Sequence, residues 1–232
     1  MTKLYEALKI PRGITSVVGG GGKTRLLDEL SLQLPGKVLR LTTTRIHPPQ
    51  CPCLINPRVS EMRQAFEEDR VLCIASYAER DKLAMPEVPL EPLLDMADYV
   101  LVEADGSHGL PLKAPNEKEP YLLGGESLVI AMAGMSGLQR PIAEAAHRAE
   151  RYAALVHKTP LDTATPEDVA KVLESNDGLH KRVDSRFVVV LNQCDTPERT
   201  RLAQECAAAL QAPCILTRLE ADPSWWLDGR ED

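Results

Sequence analysis

Short, nearly unbroken apolar runs alternate along this chain with stretches in which apolar residues return every three or four positions. The runs fall near 14–18, 38–43, 71–75, 99–103, 127–133, 187–191 and 214–217, and they are rich in Val, Ile and Leu. Continuous apolarity, rather than strict alternation, marks parallel strands that are covered on both faces. The helix-period stretches lie near 23–34, 60–69, 141–156, 166–175 and 198–211. Two helix starts are punctuated. Thr165-Pro166-Glu167-Asp168 combines a capping hydroxyl, a first-turn proline and an acid three residues on, and Thr196-Pro197-Glu198 resembles it. This order predicts an α/β fold: a doubly wound, mostly parallel sheet with right-handed crossovers, in a three-layer sandwich like that of the P-loop NTPases. The proline-rich segments 84–98 and 106–126 read as loops or short covering elements. With no repeat and no second boundary, the expectation is one domain over 1–232.

Composition narrows the partners. The chain has 232 residues, 44% of them hydrophobic, so a packed core is expected rather than disorder. Aromatic residues make up only 4%, which leaves aliphatic side chains to do the packing. The net charge is −7, with no Lys/Arg block; this argues against nucleic acid or an anionic membrane as partner. No apolar run approaches the roughly 18 residues of a membrane span. The start, Met1-Thr2-Lys3-Leu4-Tyr5-Glu6, lacks a signal-peptide core, so the expectation is a cytoplasmic protein with reduced thiols. Cysteines stand at 51, 53, 73, 194, 206 and 214. The close pair Cys51-Pro52-Cys53 has one residue between its sulfurs, against the two to four of zinc sites; metal or redox chemistry and plain packing both stay open there.

The chemistry concentrates where the first apolar run ends. Ile14-Thr15-Ser16-Val17-Val18 feeds Gly19, Gly20, Gly21 and Gly22, then Lys23, Thr24 and a helical pattern. Strand, glycine loop and helix start suit a polyphosphate, because glycines let N–H groups approach oxygens and the helix end carries partial positive charge. Lys23 would neutralise the phosphates and Thr24 would meet Mg²⁺, with Arg25 next to them in the nucleotide-binding set. Gly22-Lys23-Thr24 completes G-x-x-x-x-G-K-[ST], but Val17 stands where the first glycine belongs. A dinucleotide fingerprint fits less well, since Thr24 replaces the third glycine.

Three further strand ends join this picture. Tyr99-Val100-Leu101-Val102 runs into Glu103-Ala104-Asp105-Gly106, where either carboxylate would hold Mg²⁺ beside the loop, and Asp105 is also a catalytic candidate. Leu41-Thr42-Thr43-Thr44-Arg45 offers hydroxyls for the metal, Thr43 above all, and a cation at Arg45 for transferred charge. Phe187-Val188-Val189-Val190-Leu191 leads to Asn192-Gln193-Cys194-Asp195, similar to the N-K-x-D element that reads guanine, with Gln193 in place of lysine. A polar turn before a helix is the alternative there. Trp225-Trp226 is either a partner anchor or a docked tail segment.

Together these residues resemble the YqeC-like selenium-dependent hydroxylase accessory family. The resemblance rests on Val17 to Thr24, Thr42-Thr43-Thr44, Glu103-Ala104-Asp105-Gly106-Ser107 and Gly109-Leu110-Pro111-Leu112-Lys113-Ala114-Pro115. It extends to Glu119-Pro120, His147-Arg148 and the turn from Asn192 to Asp195. It implies a P-loop NTPase-like fold and a role in maturing a molybdenum hydroxylase, near its cofactor or selenium insertion. Lys113, in a proline-flanked loop, is then a candidate partner for a phosphate of a nucleotide or pterin, or a solvated loop lysine. The expectation is Mg²⁺-dependent binding of GTP, or else ATP, with slow hydrolysis. A small-molecule kinase and a non-catalytic carrier are the alternatives.

Overall fold

Val17 and Val18 are neighbours on one strand, point to opposite faces, and are both fully buried. Each face of the sheet has its own core. In the computed structural model, which describes residues 3–229, the first half comprises α1 (Leu4–Ala7), β1 (Gly13–Gly19), α2 (Lys23–Gln33), β2 (Val38–Thr42), β3 (Cys53–Ile55), α3 (Val59–Glu68), β4 (Val71–Tyr77), β5 (Leu83–Ala84), α4 (Glu91–Leu94) and β6 (Tyr99–Glu103). The second half comprises β7 (Leu112–Lys113), β8 (Leu128–Gly134), α5 (Ile142–Ala145), β9 (Ala146–His147), α6 (Ala149–Val156), α7 (Pro166–Glu174), β10 (Arg186–Asn192), α8 (Pro197–Ala209), β11 (Cys214–Arg218) and β12 (Asp222–Asp228). The fold is α/β, with one large, mostly parallel sheet flanked by helices, as the alternation of patterns predicts.

The sheet order is β12-β11-β10-β8-β1-β6-β2-β4-β3, with β5 attached to β4. Only β12 and β5 run antiparallel to their neighbours. On one face Val17, Val38 and Leu101 meet Leu4 of α1, Leu8 just after it, and Leu26, Leu27 and Leu30 of α2. Fully burying each such leucine stabilises the fold by about 1.5–3 kcal/mol, so packing, more than intrinsic propensity, anchors α2. On the other face Val18, Leu39 and Val100 meet Met62 and Phe66 of α3, Val169 and Val172 of α7, and Leu202 of α8.

After β1 the chain moves to one side, to β2 and β4, and later to the other, to β8, β10 and β11. The end of β1 is therefore the switch point, where α/β sheets open a crevice. Among the described residues no helix is long and apolar enough to cross a membrane.

One expectation needs correction, and the structure decides between the alternatives left open at two others. The helix expected over 141–156 is broken: Ala146 and His147 pair with Leu112 and Lys113, and Arg148 takes a left-handed conformation, φ 61°. The break carries the Arg148 guanidinium to Glu119, as described below. The 106–126 segment is accordingly not all loop, since it contributes β7. Trp225 and Trp226 belong to β12, which pairs with β11; Trp226 packs on the α2-side core and Trp225 lies under Arg218. That is the docked tail segment.

Candidate functional site

The glycine loop crosses the end of β1, between β6 and β8, and its backbone is tightly held. Gly19 N–H donates to both Asp105 oxygens at 3.1 and 2.9 Å. Gly20 N–H donates to Met132 O at 3.0 Å and Gly21 N–H to Leu110 O at 3.2 Å. Side chains are excluded here. A Cβ on Gly20 would lie 2.6 Å from Leu110 O, and one on Gly21 would lie 2.3 Å from Gly134 N. Asn192 closes the cradle from β10, its Nδ2 donating to Gly21 O at 2.8 Å.

The expected anion nest over 19–24 therefore shifts along the chain. Three of its amides are occupied by the protein. The first helical bond of α2 runs from Leu26 N–H to Gly22 O, so the N–H groups of Gly22, Lys23, Thr24 and Arg25 are the free donors of this helix end. Their residues, with Gly21, line one side of a cleft of about 1910 Å³.

Thr24 and Glu103 form the acceptor-rich side of this cleft. The Thr24 hydroxyl donates to Glu103 Oε2 at 3.0 Å, and both residues line it. A hydroxyl and a carboxylate are hard oxygen donors of the kind Mg²⁺ takes alongside water. These residues therefore fit the ion. Thr43 also lines the cleft, with its hydroxyl donating to Tyr121 O at 2.8 Å. Arg45 is exposed on the same wall.

Asp105 does not share this role. It is fully buried, and Lys23 and Lys113 approach it at 3.2 and 2.9 Å. Burial pushes its pKa up; Lys23, Lys113 and the Gly19 N–H outweigh that and hold it below the ordinary carboxylate value. A carboxylate so engaged is structural, not a metal ligand facing the cleft. Lys113, expected near a phosphate, is likewise inside: its ammonium meets Asp105, Glu119 at 3.2 Å and Gly106 O at 2.7 Å. Burial lowers its pKa, opposed by the two carboxylates.

The result is a buried row of alternating charge, Lys23–Asp105–Lys113–Glu119–Arg148. Arg148 ends it with two contacts to Glu119, at 2.7 and 3.2 Å. Lys23 Nζ curls back onto Gly19 O at 2.7 Å and lies 3.8 Å from Glu103. Next to the far end, His147 stacks on His108 with ring centroids 4.4 Å apart. Burial, then Arg148 and His108, push the His147 pKa down to about 4.

The guanine-reading turn is also placed differently. Asn192 is fully buried; its Oδ1 accepts from Thr217 Oγ1 and Leu219 N–H. Asp195 is exposed, pairs with Arg199 at 3.3 Å and does not line the cleft. Gln193 and Glu220 are the side chains presented at that end. Sequence reasoning had no signal for Glu220, which follows the last parallel strand, or for the ion row, whose members come from three separate parts of the chain: Lys23, the 105–119 stretch and Arg148.

Fold and site together define an α/β protein whose glycine-rich strand-to-helix junction opens a polar cleft at the sheet's switch point. The chain belongs to the YqeC family: the family model described as YqeC protein matches residues 15–150. It is 32% identical over 199 residues to the "Uncharacterized protein YqeC" of Escherichia coli (strain K12), covering 78% of this chain and 77% of that one. No solved structure matches.

Proposed function

We propose that this protein binds a Mg²⁺–nucleoside triphosphate at the start of α2 and hydrolyses it slowly, as an accessory factor in maturing a selenium-dependent molybdenum hydroxylase. The observation that carries the nucleotide reading is the row of N–H donors at the start of α2, on residues Gly22 to Arg25 that line the cleft together with Glu103, the partner of Thr24. The molybdenum and selenium role rests on the family resemblance alone.

The amides of Gly22 to Arg25 would take the phosphate oxygens. Lys23 would leave Gly19 O and Asp105 to reach them. That move is feasible because Lys113 stays on Asp105 and keeps the buried carboxylate compensated. Thr24 and Glu103 would hold Mg²⁺, which supplies charge neutralisation when bound. Arg45 is the cation available for charge on the transferred group. Asp105 positions the loop and Lys23. Purine choice is open to GTP and ATP, because Asn192 is engaged with Gly21 and Asp195 with Arg199.

One observation favours a second reading, a small-molecule kinase. The cleft exceeds the roughly 300–1,000 Å³ of a single ligand pocket, and continues past Arg45 to His47, Tyr77 and Lys82. An acceptor has room there.

Calorimetric titration with GTP, ATP and CTP, with and without Mg²⁺, tests the proposal. Expected is Mg²⁺-dependent binding that Lys23→Ala and Glu103→Gln each weaken at least tenfold, with phosphate release in the wild type. A phosphorylated acceptor would favour the kinase, and tight binding without turnover a carrier. Indifference to all three nucleotides would end the reading.

A further inference from the structure

We propose that Cys53 and Cys73 form a reversible disulfide, a thiol-oxidation site at the sheet edge beside the cleft. The register places Arg40 opposite Cys73, and Cys73 opposite Cys53, on β2, β4 and β3. Opposed residues of neighbouring strands share a face, and the strands lie about 4.7–4.9 Å apart. That separation falls within the roughly 4.4–6.8 Å between Cα atoms that a disulfide spans. Both sulfurs belong to the same small cluster on that face. A third, Cys51, packs in the same small cluster with Ile46, Ala75 and Leu83, and its carbonyl accepts from Cys53 Sγ at 3.4 Å.

The roles of the two sulfurs follow from charge and access. Cys53 is half-buried, while Cys73 is buried, as are Cys194, Cys206 and Cys214. The neighbouring Cys73 thiol favours a Cys53 thiolate against the cost of burial, with the Arg40 guanidinium assisting, and holds its pKa down to about 7. The Cys73 thiol is pushed up, by Cys53 and by burial. Cys51 is held protonated by burial, at about 11. Cys53 is thus the attacking sulfur and Cys73 the resolving one. A metal is a poorer fit: Arg40 puts a cation in the row, and among the described residues no three His, Cys, Asp or Glu side chains form a metal-holding group.

The oxidant is a peroxide. The Cys53 thiolate attacks one peroxide oxygen, the O–O bond breaks, and hydroxide leaves, giving a Cys53 sulfenic acid. The Cys73 sulfur then attacks the sulfenyl sulfur. The S–O bond breaks, and the Cys73 proton leaves with the hydroxide as water. Two thiols are oxidised and one peroxide is reduced to two waters. A dithiol reductant reverses the bridge by exchange. In a reducing compartment such a pair is regulatory rather than structural.

The bridge would tie the first residue of β3 to β4. Cys51 and Pro52 connect that residue directly to Arg45, His47 and Gln50, the lip of the cleft. Oxidation would therefore fix the lip.

The test uses the wild-type chain and no nucleotide, so its outcome is independent of the nucleotide reading. The reduced protein is treated with stoichiometric hydrogen peroxide, blocked with N-ethylmaleimide and digested without reductant for mass spectrometry. The expected product is one cross-linked peptide pair joining Cys53 to Cys73, lost on adding dithiothreitol. In Cys73→Ser, dimedone should trap a sulfenic acid on Cys53. A Cys51–Cys53 bridge, or Cys53 oxidised to the sulfinic acid with no cross-link in the wild type, would overturn the proposal. So would equal reactivity of all six thiols.

Discussion

Lys113 is a lysine with no exposed side-chain surface, held between Asp105 and Glu119. Taking an ammonium out of water costs several kcal/mol, which two carboxylates and the Gly106 carbonyl offset. The asymmetry of such a site decides what a substitution does. Lys113→Met keeps the volume but leaves Asp105 to Lys23 alone and Glu119 to Arg148 alone. We expect a loss of about 3–5 kcal/mol in urea unfolding. Nucleotide affinity should fall as well, because Lys23 would then be the ammonium that compensates Asp105 and could not leave it. By contrast, Arg140→Ala removes an exposed i,i+4 partner of Glu144 and should change stability by less than about 0.5 kcal/mol. Equal effects of the two substitutions would mean that the buried row carries no special weight.

At the scale of elements, the long apolar runs and the capped helices were readable, and the short pieces were not. Strands 99–103 and 128–134 and helices α7 and α8 lie within two residues of their patterns, because every position of those strands is buried and both helices begin at a Thr-Pro start. The pieces β3, β5 and β7 are two or three residues long, below the length at which a period can be recognised. The break at Arg148 was hidden for another reason. Its cause is a carboxylate 29 residues away, and helical periodicity is blind to a partner at that distance. The glycine loop was legible as a tight strand-to-helix junction, but three of its four glycines answer to packing against backbone. Gly21 illustrates this: its φ is +79° and its Cα side faces the Gly134 backbone. Gly21→Ala should therefore cost more than the roughly 1–3 kcal/mol of a strained left-handed residue, since a backbone neighbour cannot move aside as a side chain can. The measurement is the urea midpoint. A change under about 0.5 kcal/mol, with nucleotide affinity alone reduced, would mean that the loop moves freely and that the glycine serves only the ligand.

At the scale of the whole molecule, the order of strands sets what is stable and what can respond. β1, β8 and β6 are central, with paired strands on both sides and helices over both faces; β3, β5 and β12 form the margins. Local opening draws on the margins first. Amide exchange should thus be slowest in Val129–Ala133 and Val100–Val102, opening only with global unfolding, and faster in Leu54–Ile55 and in Ser224–Leu227. The cleft straddles both regimes. Its floor is the end of β1 and β6, and its lip, from Arg45 to Gln50, hangs from the marginal β3. A bound Mg²⁺–nucleotide should slow exchange at Gly22 to Arg25 directly, by occupying those amides, and in the 43–50 lip by contact with Arg45. It should leave Trp226 and Leu227 of β12 unchanged, because β11, β10 and β8 lie between them and β1; only the Glu220 turn before β12 borders the cleft. Uniform slowing across every strand would instead indicate that the ligand only shifts the global folding equilibrium. Slowing confined to β12 and the Trp225–Trp226 pair would place the ligand at the sheet's far margin, away from the glycine loop.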